Sequence, residues 1–336
     1  MSSFNQNASY GRAMLDAVQA QIPVFGNVLV VVKSSDSTSH IGNIQQLYTG
    51  DSNGLVRYFT SLSDAYTAAE SNNNDVIVLD AQSTHTLTTG IAWTKNRIHV
   101  IGMDGGDRLI QQGAKVQNAS TDTTAYVIKV TGVRNSFRNI KFIQASTEAT
   151  ALHVLEEGGE GNLYKNCTFT FGVVDNLDLT TANEVVAGSD SATYVDCEFG
   201  TETLLTSAAR TVFKIDQVTT SQEFKSNRVV NCNFVISSSS TTATLLKVDA
   251  ATDVLFSNLF KNCTFVASID SAGGAALAVA IKSVASLVKG TCNFHYCAAY
   301  GCTNLATDAV GNDNFYVYGP EMANGTDLVG VLPIAT

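Results

Sequence analysis

Aligned on its phenylalanines, the chain repeats a short alternation of buried and wet positions. Asn139-Ile140-Lys141-Phe142 is followed by Asn166-Cys167-Thr168-Phe169, Asp196-Cys197-Glu198-Phe199 and Asn231-Cys232-Asn233-Phe234, then by Asn262-Cys263-Thr264-Phe265 and Thr291-Cys292-Asn293-Phe294. The second positions of these motifs lie 27, 30, 35, 31 and 29 residues apart. A near-constant interval of this size marks a repeat architecture. Side chains two apart share one face of a strand, so Cys and Phe point together into a core. The residue between them is polar in every copy, which leaves the other face in water. Cys serves as a small buried hydrophobe and Phe as the large filler.

A second in-out-in pattern precedes each motif: Ile128-Lys129-Val130, Leu152-His153-Val154, Val185-Val186-Ala187, Phe213-Lys214-Ile215, Leu246-Lys247-Val248 and Ile281-Lys282-Ser283. Two strands per period, joined by Ser/Thr-rich connections of variable length, describe a chain wound into coils. Six coils stacked at about 4.8 Å would stand roughly 30 Å tall. Right-handed winding is the default for parallel crossovers. Leucine-rich repeats and propeller blades would leave other signatures, and neither pattern is here. The expected fold is all-β, a right-handed parallel β-helix with a short N-terminal helical cap.

The ends break the period. Residues 8–20 and the stretch Leu62 to Glu70 both carry helical patterns, the second with Ser61 or Ser63 as a cap. The apolar runs Val28–Val32, Val76–Leu79 and Ile98–Ile101 read as strands. Residues 1–110 are therefore expected to form an arm and cap leading into the first coils. Residues 111–294 would form the regular stack, and 295–336 a C-terminal cap or arm. Tyr296, Tyr300, Tyr316 and Tyr318 in that tail would close the last coil or meet a neighbour.

Composition agrees. Of 336 residues, 45% are hydrophobic and only 15% charged, so a large core faces an uncharged polar surface. Three prolines suit a chain of stacked internal strands. A net charge of −10 argues against nucleic acid and fits a component kept apart by self-repulsion. No stretch has the length of a membrane span, so no membrane partner is expected. The first residues show neither a basic n-region nor an apolar h-region, so the expectation is no secretory signal and folding in the cytoplasm. Seven cysteines, an odd number, read as reduced thiols there.

The opening segment carries a family resemblance. Gly26-Asn-Val-Leu-Val-Val-Val, Gly54-Leu-Val-Arg-Tyr-Phe-Thr-Ser-Leu-Ser-Asp-Ala-Tyr-Thr-Ala-Ala, Asn74-Asp-Val-Ile-Val-Leu-Asp and Ile98-His-Val-Ile-Gly-Met resemble the start of pectate-lyase-like β-helix proteins of tailed-bacteriophage virions. The resemblance covers about residues 24–105. It implies a virion component of head or tail, assembled in the host cytoplasm, and carries no catalytic residue across. It further implies a homo-oligomer, a trimer by family analogy, with the major capsid protein or other virion proteins as partners.

Several groups of residues carry side chains capable of chemistry. Glu156, Glu157 and Glu160, or Asp175 and Asp178, are the carboxylate groups that could cut a glycosidic bond. Both sets read as solvated residues of connecting loops. Polygalacturonase and calcium-dependent pectate-lyase elements are missing. Cys292, His295, Cys297 and Cys302 crowd together but fit no standard zinc spacing. Asn7, Asn118, Asn166, Asn262 and Asn324 match a glycosylation pattern that needs export to matter. The Asn column reads instead as a stacked amide ladder at a coil corner. Lys129, Lys214, Lys247 and Lys282 stack like charges, either compensated by Asp216 and Asp249 or docking an acidic partner such as a capsid shell. The resulting expectation is a non-enzymatic virion structural protein, a decoration or cement protein of the outer head shell. No catalytic, cofactor-binding or metal residue is assigned. The alternative is a tail fibre or tailspike that binds or cleaves host surface polysaccharide.

Overall fold

The computed structural model describes residues 26–32, 56–81, 84–103, 113–173, 179–219, 223–249, 254–269, 273–284, 289–307, 315–318 and 332–333. These residues wind into a parallel β-solenoid with three sheets, one of 13 strands and two of 8. A single coil visits the first sheet at Leu163–Lys165, the second at Thr168–Phe171 and the third at Asn183–Ala187. Pairing is parallel throughout the described residues, apart from Leu332–Pro333, which runs antiparallel to Phe315–Tyr318.

The first-sheet strands Ser136–Arg138, Leu163–Lys165, Thr193–Val195 and Arg228–Val230 each sit between two sharp bends, and the residue types follow from that. Arg97, Arg134, Gly161, Ser191 and Ser226 enter with positive φ; Asn139, Asn166, Asp196, Asn231, Asn262 and Tyr296 leave with φ of 52° to 57°. Left-handed backbone is costly for most residues and least so for Gly, Asn and Asp. The exit asparagines form the expected ladder in part. Asn166 Nδ2 donates to Asn139 Oδ1 at 3.1 Å, Asn231 Nδ2 to Asp196 Oδ1 at 3.3 Å and Asn262 Nδ2 to Asn231 Oδ1 at 3.2 Å.

A second, buried ladder is built from Asn135, Asn162 and Asn227, each one residue after an entry bend, and from Asn258 within the strand Val254–Lys261. Asn135 Oδ1 accepts from Ile98 N at 2.9 Å, Asn162 Oδ1 from Asn135 N at 2.8 Å, and Asn258 Oδ1 from Asn227 N at 2.9 Å. Asn227 Oδ1 accepts from Ala192 N at 2.7 Å. Each amide satisfies a backbone N–H of the coil below, which the bend has taken out of the sheet.

The core is a column of stacked rings. Phe142, Phe169, Phe199, Phe234 and Phe265 follow one another with centroids 5.4, 5.5, 4.9 and 4.6 Å apart. Phe137, Tyr164 and Tyr194 form a parallel stack under the first sheet at 5.2 and 5.0 Å. In-register parallel pairing places like side chains one above another at about the strand spacing, which suits ring stacking. At Gly200 the second sheet bends with φ of 102°, and a Cβ there would lie 1.8 Å from Val235 O. The N-terminal end is closed by helix α1, Leu62–Ala68, whose cap residue Ser61 accepts from Asp64 N through Oγ. Tyr66 of α1 stacks on Trp93 at 4.1 Å. The helix expected over residues 8–20 lies outside the described residues.

Four expectations are corrected. Each coil has three strands, not two. The unread one is the first-sheet strand, as short as Ser136–Arg138 or Thr193–Val195, too brief for an alternation to register. The Asn-Cys-x-Phe motif is not one strand: Asn is the bend, Cys follows it, and the second-sheet strand begins at the third residue. Its sixth copy was misplaced. Cys292 and Phe294 belong to the first sheet, opposite Asn258 and Phe260, while the corner column continues at Tyr296 and Cys297. A bend, rather than the letters Cys-x-Phe, sets the register. Likewise the third-sheet partner of Ile128-Lys129-Val130 is Leu155-Glu156-Glu157, three residues beyond the expected Leu152-His153-Val154.

Asn231 separates the two contributions to a corner. Asn231→Ala should lower stability by about 1–2 kcal/mol through its left-handed backbone, while Asn231→Gly should stay within a few tenths of that scale of wild type. Urea melts of both variants check this; equal losses would mean that the amide bond, not the backbone, holds the bend. Phe234→Ala, in the middle of the ring column, should cost about 3–5 kcal/mol in the same measurement.

Candidate functional site

Ionisable groups gather on the third sheet and at its margins. On its outer face Lys129, Glu156, Val186, Lys214, Lys247 and Lys282 stand in one register column. Lys129 Nζ meets Glu156 Oε2 at 2.7 Å. Lys214 bridges Asp216 at 2.6 Å and Asp249 at 2.9 Å, and Lys247 meets Asp249 at 2.6 Å. Compensation by Asp216 and Asp249 within the chain is therefore present. Burial opposes the Lys214 charge, but its bonds to both aspartates outweigh it and hold its pKa above the ordinary lysine range. Burial would raise Asp249, yet Lys247 and Lys214 together hold it below the usual carboxylate range. Partly exposed pairs of this kind contribute about 0–1 kcal/mol each.

Glu157, the next residue but opposite in direction, points into the coil. It occupies the place that Val130 and Ala187 take in the neighbouring coils. Gly159 N donates to its Oε1 at 2.6 Å, Asn162 Nδ2 at 3.0 Å, and Tyr164 OH to its Oε2. Burial pushes the Glu157 pKa up to about 7 against the pull of these three donors. Tyr164, buried beside it, is raised well above the ordinary phenol by the same burial and by the Glu157 charge.

A second interior charge pair lies one coil on. Glu184 takes a position filled by Val154 and Val212 in the adjacent coils. Arg210 Nη1 reaches its two oxygens at 2.9 and 2.7 Å, with both side chains fully buried. Burial raises Glu184, and Arg210 only partly restores it. Removing one partner of such a pair leaves an uncompensated charge, a loss of about 3–5 kcal/mol. Nothing in the sequence flagged it, since one Glu and one Arg 26 residues apart form no pattern.

The carboxylates singled out from sequence do not form a pair. Glu156 and Glu157 lie within the strand His153–Glu157 rather than a loop, one in an outer ion pair and one in the core. Glu160 is exposed, bridging by backbone to Asp190. Asp175 and Asp178 lie outside the described residues. Cys292, Cys297 and Cys302 point inward from three different places. Cys297 Sγ donates to Phe260 O and His295 O, Cys302 Sγ to Tyr300 O, and the His295 ring rests on Tyr318 at 4.5 Å. Burial pushes the Cys302 thiol up to about 11. Asn118 and Asn166 of the glycosylation matches are buried, while Asn7 and Asn324 lie outside the described residues.

The chain matches no protein-family model and no curated protein. Among solved structures it is similar to a pectin methylesterase mutant in complex with a hexasaccharide, at 13% identity and a TM-score of 0.56 over 90% of this chain and 91% of that one. The pectin methylesterase PemA of Erwinia chrysanthemi gives 13% identity and a TM-score of 0.52 over the same shares. An open reading frame of Geobacillus virus E2 covers 76% of this chain and 56% of that one with a TM-score of 0.35, too loose to carry an argument.

These likenesses establish the parallel β-helix. They also correct the expectation of a protein that is no enzyme, because the solenoids it superposes on over nine-tenths of its length are carbohydrate esterases. That expectation rested on missing lyase and hydrolase motifs, and ester cleavage was not among the chemistries those motifs cover.

The Glu157 carboxyl gives a pH signature with a definite sign. Below about pH 4.5 both folded and unfolded chains hold its proton. Between that and about 7 only the folded chain does, so stability falls as pH rises, by about 3 kcal/mol in all. Glu157→Gln should thus gain on wild type as pH climbs from 5 to 8, in urea melts run in parallel. A constant difference across that range would place the carboxyl at its ordinary pKa.

Proposed function

We propose that the chain is a structural component of a tailed-bacteriophage virion, a decoration protein bound to the outer shell of the head. The observation that carries this reading is the opening segment. The residues that resemble phage β-helix proteins supply Val28–Val31, α1, Val76–Leu79 and His99–Gly102, the capped end from which the solenoid grows. The capsid protein is the partner this reading implies, with a trimer by family analogy. The charge of −10 supports it only as a source of colloidal stability.

A second reading is a tail fibre or tailspike that binds or cleaves host polysaccharide. It is favoured by the fold, which pectin methylesterases share, one of them solved with a hexasaccharide. Fold alone does not transfer activity.

Antibody labelling and quantitative mass spectrometry of purified virions separate the two. Many copies on the head are expected for decoration; a few copies at the tail favour the second reading, and absence from particles removes both. Release of methanol or of reducing ends from pectin and bacterial capsule polysaccharide by the isolated chain tests the catalytic part of the second.

A further inference from the structure

The chain carries ten more negative than positive charges, yet its cations are not all neutralised. Among the described residues, Lys129, Lys214, Lys225, Lys247 and Arg210 each touch a carboxylate. Four that touch none stand together where the first sheet turns into the second. Arg138 and Lys165 are register neighbours on the outer face of the first sheet; Lys115 and Lys141 are register neighbours on the outer face of the second. The bend at Asn139 joins the two pairs. Each pair stands about 4.8 Å apart along the solenoid axis.

This arrangement is strained. Like charges directly opposite on a sheet destabilise it. Lys141 sits below the ordinary lysine range, first through burial and then through Lys115, with Glu198 two coils away pulling the other way. Arg138 is half-buried, and its Nε is enclosed without a hydrogen-bond partner. His99, bonded to Ser136 Oγ at 2.9 Å, is held down to about 4 by burial and by Arg138. On the third sheet the stacking of Lys214 on Lys247 is relieved by Asp216 and Asp249. Here the repulsion is left open, over a patch four residues wide.

We infer that this cationic corner is a binding site for an acidic polysaccharide, whose carboxylate or sulfate groups pair with Arg138, Lys165, Lys115 and Lys141. Size and composition decide between occupants. A stable protein interface buries about 800 Å² per partner around an apolar centre depleted in Lys, whereas two neighbouring cation pairs match a few successive anionic groups on a narrow chain. A specific nucleic-acid interface covers about 1,000–2,500 Å² of protein surface, far more than four side chains at one corner present. The guanidinium fork of Arg138 suits a planar carboxylate, and the lysines supply flexible point charges beside it. The site stands whether the chain sits on head or tail.

Affinity electrophoresis of the full chain in gels containing polygalacturonate, heparin or neutral dextran tests this. Retardation is expected in at least one of the anionic gels, weakened by salt, and none in dextran. Arg138→Gln/Lys165→Gln and Lys115→Gln/Lys141→Gln should each lower the affinity by about tenfold or more. Lys214→Gln/Lys247→Gln, whose lysines are already paired, should leave it unchanged. The Lys115/Lys141 double variant should melt at or above the wild-type temperature, since it removes a repulsion. No retardation in either anionic gel, an equal loss from the Lys214/Lys247 variant, a lower melting temperature of the Lys115/Lys141 variant, or stronger retention by poly-glutamate than by both glycans would overturn the inference.

Discussion

Everything in this solenoid depends on how it turns its corners. In a stack of parallel coils all sheet hydrogen bonds run between coils, and a bend removes its residues from that ladder. The backbone groups at the bend are still buried and still need partners. Buried asparagines meet the need: Asn135, Asn162, Asn227 and Asn258 each accept from a backbone N–H one coil away. Without them the first sheet could not follow so tight an entry bend, and the rings beneath it would lose their common register.

With the corners fixed, side-chain identity becomes a matter of columns. A column tolerates an exception only where the exception finds its own partner. Glu157 in an apolar column is met by Asn162, itself a corner residue, and by Tyr164 of the ring stack. Glu184 in a valine position is met by Arg210. Ala192, standing where its neighbours have Asn, is covered because Asn227 still reaches its N–H. The solenoid thus absorbs polar substitutions one coil at a time, as expected when each repeat contacts only its neighbours.

The repeat was legible because Cys and Phe sit at a fixed offset from a bend, and the class of fold followed from it. The first sheet was legible in its opening strands Val28–Val31, Val76–Leu79 and His99–Gly102 but not in the regular stack, where three residues between two bends carry no readable alternation. A signal for it nevertheless exists. Asn135 and Asn139, Asn162 and Asn166, and Asn227 and Asn231 are each four apart, an entry amide and an exit bend bracketing one short strand, and Asn258 and Asn262 repeat the offset at the end of the longer strand Val254–Lys261. The pair also corrects the sixth motif, since Thr291-Cys292 has no asparagine at that offset. The position of Glu157 was unreadable for a different reason: whether a Glu-Glu run in a strand faces out or in depends on register, and a slip of one residue exchanges the faces. Arg210 and Glu184 meet because Arg210 leads into the strand Thr211–Ile215, which pairs with Asn183–Ala187, and the sequence does not encode that pairing locally.

The same column logic bears on the outer faces. A stacked lysine costs stability unless an acid is interleaved, and on the third sheet the chain supplies Glu156, Asp216 and Asp249 at the spacing required. A chain this acidic has carboxylates to spare, so a cluster left unpaired is not forced by composition. At Arg138, Lys165, Lys115 and Lys141 the repulsion is retained across two sheets and one bend. Positions that break a local rule without a compensating contact inside the fold are where a contact outside it is to be sought. On the third sheet Lys129, Lys214 and Lys247 each meet an acid, and in the interior Arg210 meets Glu184; among the described residues none of the four cations at the corner between the first and second sheets does, and that difference turns a uniform scaffold into one with a preferred side.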